Sequence, residues 1–286
     1  MQGNSGKTAL LTGLGIAGRA GRWDMTIADG RIASLTPAEG PGAGFVMPLG
    51  ADVHVHLDKT LTVSRMPERA TSLFHAIELM QADFVNWNEA DLRQRAQTAL
   101  SRAYLHGTAA MRSHVDWHTT TPPLAWSVLH ELAADWQGRI ELQLASLTSL
   151  DLFADIGAHV AAGVAQSGGI LGAFVYRNDG LKGKLATLFD LAEKHDLHLD
   201  IHVDEGLDEQ ARGLDAIISE TAQRGMAGRV LCGHACALSV REPDDLARTL
   251  DAMADAGVGL VVLPGANSYL QDGAPGRTPR LRGLAP

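Results

Sequence analysis

In the run Asp52-Val53-His54-Val55-His56 two imidazoles stand two positions apart. Side chains alternate along an extended strand, so His54 and His56 share one face while the valines take the other, and two nitrogen ligands converge. Neutral imidazole is the commonest protein ligand for transition metals. At the C-terminal end of a barrel strand that face points at the barrel axis, where such enzymes place their chemistry. The same spacing also suits two polar residues on an exposed strand face, so the neighbouring stretches decide between the two readings.

A second row lies far downstream. Leu197, Leu199, Ile201 and Val203 alternate with His198, Asp200 and His202. If both faces are buried, the polar row costs a few kcal/mol per unsatisfied group, so a hydrogen-bond network or a metal must engage it. His202 is the candidate third ligand. Glu205 follows three residues on, in the loop past the strand, where a carboxyl can meet both a water and a substrate atom. The alternative for Glu205 is an ordinary solvated loop acid. His234, in Gly233-His234-Ala235-Cys236, again sits near a strand end, a position a satisfied core histidine also takes. Arg112, His114 and Asp116 are evenly spaced on a strand. They are either an ion-pair network bracing the barrel or part of the catalytic set. The histidines at 75, 106, 118, 130, 159 and 195 fall on helices or loops and are assigned to surface or packing.

The elements that must position these groups are legible from apolar periodicity. Residues 1–47 carry short apolar runs and the turn Asp29-Gly30, the pattern of a few antiparallel strands. Residues 48–286 alternate short apolar strands with longer amphipathic segments, as in βα units around a parallel sheet. Seven strands are expected, in VMPLGADVHVH, GTAAMRSHVDW, IELQLASL, GILGAFVY, LHLDIHV, RVLCGHACAL and GVGLVVLPGAN. NEADLRQRAQTALSRAYLHG predicts a helix with Asn88 as N-cap, Leu92, Ala96, Leu100 and Tyr104 on one face, and Gly107 as terminator. Leu214, Ile217, Ile218 and Ala222 predict another, ending at Gly225. The fold class expected is α/β, a (β/α)8 TIM-type barrel incomplete at its C-terminus.

Composition bounds the partners. With 286 residues, 45% hydrophobic and 20% charged, the chain fits a globular protein, and no apolar run reaches the ~18 residues of a membrane span. A net charge of −9 without a lysine or arginine cluster argues against nucleic acid, leaving a small molecule as the expected partner. The start MQGNSGKTALLTG has no apolar segment of signal-peptide length, so a cytoplasmic location is expected. Cys232 and Cys236 have a spacing that fits neither a zinc ribbon nor a redox pair, and read as buried reduced thiols. Gly13-Leu14-Gly15-Ile16-Ala17-Gly18 matches a dinucleotide fingerprint, but no amphipathic helix follows to receive a pyrophosphate. Gly6-Lys7-Thr8 resembles the end of a phosphate loop, yet lacks its first glycine and preceding strand.

The stretches 51–60, Arg112-Ser113-His114-Val115-Asp116, 201–212, Gly233-His234 and 263–271 together resemble the cytosine deaminase branch of the amidohydrolase superfamily. The resemblance implies one divalent metal ion, iron or zinc, held by His54, His56 and His202. It implies Glu205 as proton shuttle to the ring nitrogen and leaving amine, and His234 as the group that orients water or polarises a developing oxyanion. Within those stretches His114, Asp116 and Asn267 are assigned to substrate binding. It also implies that residues 1–47 form the N-terminal part of a small β-sandwich, and that activated water attacks an amidine-like carbon to release ammonia or an amine.

Two departures shape the expectation. The family's fourth ligand is an aspartate after strand eight, and the sequence stops at Arg282-Gly283-Leu284-Ala285-Pro286 before it. A truncated reading frame with two unpaired barrel edges is therefore expected, edges through which a homo-oligomer could form. The alternative function is a homologue that keeps the fold without turnover. Cytosine deaminases also place a glutamine after strand three, where Leu147-Thr148-Ser149 has none. The substrate expected is thus a cytosine-like or other amino-substituted N-heterocycle, aminotriazines included.

Overall fold

The structure is a computed structural model, and it describes residues 8–42, 44–273, 276, 278 and 280–285. The chain forms two compact units, Met1–Gly50 and Ala51–Pro286; the division expected at 47/48 falls slightly earlier.

In the first unit β1 (Thr8–Ile16), β2 (Arg19–Ala28), β3 (Arg31–Ala38) and β4 (Gly44–Val46) build one sheet in the order β3-β2-β1-β4. β1 and β2 are antiparallel and meet at Ile16 and Arg19, so Gly13 to Gly18 run into a two-residue hairpin turn. The glycine fingerprint is therefore hairpin chemistry, and no helix follows it. Asp29 and Gly30 have φ of 53° and 72° between β2 and β3, the left-handed pair that tight hairpins demand. Gly6 and Lys7 lie outside the described residues.

The second unit alternates strands and helices. β5 (Gly50–Val55) is followed by α1 (Leu73–Asp83) and α2 (Glu89–Leu105), β6 (Thr108–Asp116) by α3 (Leu124–Asp135), and β7 (Glu141–Ser149) by α4 (Phe153–Gln166). Then come β8 (Leu171–Val175) with α5 (Leu181–Lys194), β9 (Leu199–Val203) with α6 (Gly213–Arg224), β10 (Val230–His234) with α7 (Pro243–Ala256), and β11 (Gly259–Val261) with α8 (Pro264–Leu270). The seven strands lie side by side in sequence order, and β6 through β11 pair in parallel. This is an incomplete (β/α)8 barrel. β5 and β11 end the strand order, and a cleft of about 370 Å³ is bounded by residues of both, from Ala51 to His54 and from Val261 to Ala266.

The expected strands are all present, and all but β7, which runs past IELQLASL to Ser149, are shorter. In GVGLVVLPGAN the strand ends at Val261, and Pro264 starts a short helix that contains Asn267; proline lacks the N–H a ladder needs and suits a first helical turn. In α2, Asn88 caps by accepting from Asp91 N at 3.1 Å, and Leu92, Ala96 and Leu100 are buried. Tyr104 is not part of that face, being 49% exposed. α6 ends on Gly225 at φ 64° as its terminator role requires.

The core lies between strands and helices. Leu199, Ile201 and Val203 point outward into it and pack with Leu185, Leu188, Phe189, Leu214 and Ile217. Each such side chain gives ~1.5–3 kcal/mol on leaving water. The opposite, inward faces of the strands carry the polar rows.

Candidate functional site

β5 delivers His54 and sets His56 just past its end, and the register of the central strands does the rest. His202 on β9 pairs with Phe174 on β8 and with Gly233 on β10. A side chain at 233 would meet His54 Cε1 at 2.7 Å, so the glycine before His234 is what lets the His54 ring enter. The rings of His54 and His202 lie 4.3 Å apart, and those of His56 and His202 5.2 Å.

Among the described residues, His54, His56, His114 and His202 each offer one ligand atom within 4.8 Å of the other three. The set can hold a metal ion, and the state of its nitrogens fits one. His56 Nε2 and His202 Nε2 face each other at 3.3 Å, while His54 Nε2, His56 Nδ1, His202 Nδ1 and His114 Nδ1 are buried without a hydrogen-bond partner, and His114 Nε2 lies 2.9 Å from the buried Asp200 carboxylate. Orphaned buried polar atoms in this number demand a compensating group. Burial also keeps three of these rings uncharged: it drives His54 down to about 2, with positive neighbours adding to it, and takes His56 and His202 well below the usual imidazole value. Neutral imidazoles present lone pairs, as metal binding requires.

Glu205 lies in the β9–α6 loop, buried, with its carboxyl pushed up to about 8 by desolvation against the opposing pull of Lys59. The preceding residue explains its placement. Asp204 is buried, takes a left-handed backbone at φ 47°, and accepts from Gly213 N at 3.2 Å and Leu214 N at 3.0 Å. Its carboxylate thus serves the start of α6, which has no side-chain cap of its own. Gln271 Nε2 donates to the Glu205 carbonyl at 3.0 Å, and Gly206 leaves room for Tyr176, whose hydroxyl would lie 2.4 Å from a side chain there.

His234 closes the set. Its Nδ1 is 3.1 Å from Glu205 Oε1 and 3.2 Å from Asn267 Oδ1, acceptors that favour a proton on Nδ1 and leave a lone pair on the buried, unpartnered Nε2. Burial first, and then His114, lower its pKa to about 4 against the Asn267 hydrogen bond. His234 and Ala235 have φ of 71° and 46°, strain that persists only where packing enforces it. Asn267 is fully buried with both amide ends engaged, its Nδ2 donating to Gly283 O at 3.2 Å. It therefore faces His234 rather than open space.

The second-strand row divides. His114 joins the imidazole cluster. Arg112 Nη1 donates to Asp200 Oδ2 at 2.7 Å, and Asp116 pairs with Lys59 at 2.7 Å. His198 is exposed and precedes β9, so the polar row of that strand is Asp200 and His202 alone. Residues that sequence reasoning assigned no role stand close by. Lys59 acts electrostatically on Glu205, His54 and His56. Asp58, buried and raised to about 6 chiefly by desolvation, accepts from Asp116 N at 3.2 Å. The only available signal was their position directly after the histidine pair. Cys232 and Cys236 are free and buried.

Comparison with known proteins follows the same lines. A model of the amidohydrolase family matches residues 99–286. The pterin deaminase of Rhizobium rhizogenes strain K84 is 35% identical over 273 residues, covering 91% of this chain and 62% of that protein. The crystal structure of 5-methylcytosine deaminase from Klebsiella pneumoniae liganded with 5-fluorocytosine superposes with a TM-score of 0.82 at 23% identity, over 97% of this chain and 70% of that one. N-isopropylammelide isopropylaminohydrolase from Burkholderia multivorans gives a TM-score of 0.71 at 25% identity, over 91% and 69%. The chain spans about three fifths of the length of the curated relatives it matches.

Proposed function

The chain belongs to the amidohydrolase family, and from that premise we propose that it is a metal-dependent hydrolytic deaminase of amino-substituted N-heterocycles. One observation carries the reading: neutral, buried imidazoles with unpartnered nitrogens surround a point beside a carboxyl that burial keeps protonated. His54, His56 and His202 would hold a divalent ion, zinc or iron. Bound there, it supplies Lewis-acid polarisation and draws the pKa of water towards ~7.

The remaining chemistry belongs to side chains. Glu205, whose carboxyl burial pushes up to about 8, can donate its proton to a ring nitrogen next to the carbon under attack; the carboxylate so formed can take a proton from the attacking water and hand it to the departing amine. His234, fixed through Nδ1 by Asn267 and Glu205, offers Nε2 to hold the attacking water in line. Lys59, paired with Asp116, keeps positive charge near Glu205 and so favours return of its anionic form.

The likeness to a pterin deaminase supports a fused aminopyrimidine ring as substrate, with aminopyrimidines and aminotriazines as the other classes to assay. The test is ammonia release from pterins, aminopyrimidines and aminotriazines by the metal-loaded chain. Turnover on one class, lost on chelation and on Glu205→Gln, is the expected result. Silence across the panel with metal bound would overturn the reading for this chain.

A further inference from the structure

His234 has one proton for two ring nitrogens, because burial keeps the ring neutral. Which nitrogen carries it decides what the residue can do. With the proton on Nδ1, the buried Nε2 keeps a lone pair beside the imidazole cluster, where the rings of His54 and His202 each lie 5.0 Å from that of His234. Glu205 Oε1 lies 3.1 Å from Nδ1, but a carboxyl that keeps its proton can give it to that nitrogen as well as accept from it, so this contact alone does not select the tautomer. The hydrogen bond of Nδ1 goes to Asn267 Oδ1 at 3.2 Å.

An asparagine side chain accepts at one end and donates at the other, so its orientation decides which end a neighbour meets. The second end of Asn267 meets the backbone carbonyl of Gly283 at 3.2 Å. A carbonyl only accepts. The amide end that faces it must be the NH2 group, which leaves Oδ1 for His234, and an oxygen that only accepts requires the proton on Nδ1. We infer that the Gly283 carbonyl sets the tautomer of His234 through Asn267, and that residues 280–285 form a strap that positions this chain of hydrogen bonds.

The strap is held at several points. Gly283 is buried at φ 62°, and a methyl there would lie 2.8 Å from Gln271 Cγ and 3.0 Å from Cys236 Cβ, so the left-handed backbone and the close approach both call for glycine. Asp272 Oδ2 accepts from Arg280 N at 2.7 Å and Leu281 N at 3.0 Å, Arg282 donates to Ser268 O, and Ala285 packs against the barrel core. Asn267 and Gln271 stand one helical turn apart and reach both acid–base groups, since Gln271 Nε2 donates to the Glu205 carbonyl at 3.0 Å. The consequence is a separation of roles. A Nδ1 that already carries hydrogen cannot take the proton of Glu205, which stays available for substrate, while Nε2 remains an acceptor for the attacking water. That use rests on the proposed deamination; the tautomer does not.

Nitrogen-15 NMR of the whole metal-stripped chain, labelled at histidine, tests the inference, because the shifts and proton couplings of the two ring nitrogens tell a protonated from a lone-pair nitrogen. His234→Gln identifies the signals by their loss. The parent should carry the proton on Nδ1. Gly283→Ala displaces the carbonyl and frees the Asn267 amide to turn, and should shift the tautomer ratio at least about fivefold towards Nε2–H, the effect of one neutral hydrogen bond. Asp272→Ala, which releases the strap away from the site, should shift it in the same direction and decides the question if Gly283→Ala does not fold. Asn267→Asp keeps an acceptor for Nδ1 without help from Gly283 and should retain the Nδ1 proton, which a general loosening of the site would not do. A parent with its proton on Nε2, or a ratio unchanged within about twofold in the folded strap variants, would overturn the assignment. A parent that shows Nδ1–H yet deaminates none of the rings assayed overturns the proposed function and leaves the role of the strap standing.

Discussion

Glu205 shows what burial does to one residue. Its carboxyl is raised to about 8 from the ordinary 4.5, so between those values the folded, metal-stripped protein keeps a proton that the unfolded chain has released. Stability from this group is complete below the unfolded value and falls as pH climbs through the folded one. Glu205→Gln removes that dependence. Its melting temperature in the metal-stripped protein should rise relative to the parent from pH 5 to 8, by an amount equivalent to up to ~4 kcal/mol. Parallel melting curves across that range would show the carboxyl is not held protonated. In the metal-loaded chain the same variant should lose ~10²–10⁴ in kcat with metal content unchanged. Asn267 acts through another residue. Asn267→Leu strands His234 Nδ1 of one acceptor and should lower kcat about tenfold with little change in KM, because its amide touches His234 and Gly283. A change confined to KM would return Asn267 to the substrate-binding role first expected of it. At this scale the sequence was informative wherever alternation along a strand decides direction: His54 with His56, and Asp200 with His202, fall out of period two. It was silent on Lys59 and Asp58, since nothing in a local pattern says which charges a fold will bring together.

At the scale of elements, strands are close enough that some positions tolerate no side chain. Gly172 on β8 is such a position: an added methyl would lie 1.8 Å from the Ser146 carbonyl and 2.9 Å from that of Asp200. Gly172→Ala must therefore push β8 from its neighbours β7 and β9, and should cost ~3 kcal/mol or more, read as the shift of a denaturation midpoint. A loss under ~1 kcal/mol would mean that the strands can separate cheaply. The loop after β9 gives the converse case, where one carboxylate organises an element. Asp204 accepts two backbone N–H groups at the head of α6, so Asp204→Ala leaves them unsatisfied at a cost of ~1–3 kcal/mol. It should also loosen Glu205 next to it, giving a lower kcat together with a lower melting temperature. The helices were legible because apolar spacing and caps are local, as in α2 from Asn88 onward. The end of β11 was not: LPGAN continues an apolar run, and only the turn of the chain at Pro264 makes it helix.

For the whole molecule, metal and fold are linked. The imidazoles of His54, His56, His114 and His202 lie in one cluster only when the barrel is formed, so an ion that binds among them in the native state alone would stabilise it by RT ln(1 + [L]/Kd), about 4 kcal/mol at a thousandfold excess over Kd. Chelation should accordingly lower the melting temperature by several degrees, and restored zinc or iron should recover it. Identical melts with and without metal would argue against an ion bridging those strands. The described chain has no helix long and apolar enough to cross a membrane. By itself the sequence determined what is periodic or adjacent: the α/β order, the seven strands, which faces of the strands are polar, and the residue types able to bind a metal or move a proton. These follow from rules that act over a few residues. Only the tertiary structure decided which of the candidates meet. It brought His114 to the other imidazoles instead of to open space, set Asn267 against His234, buried Glu205 until its carboxyl stays protonated, and paired Asp200 with Arg112. Those outcomes depend on strand register and on how tightly neighbouring chains pack, quantities set by contacts between residues far apart in sequence and therefore absent from any local pattern.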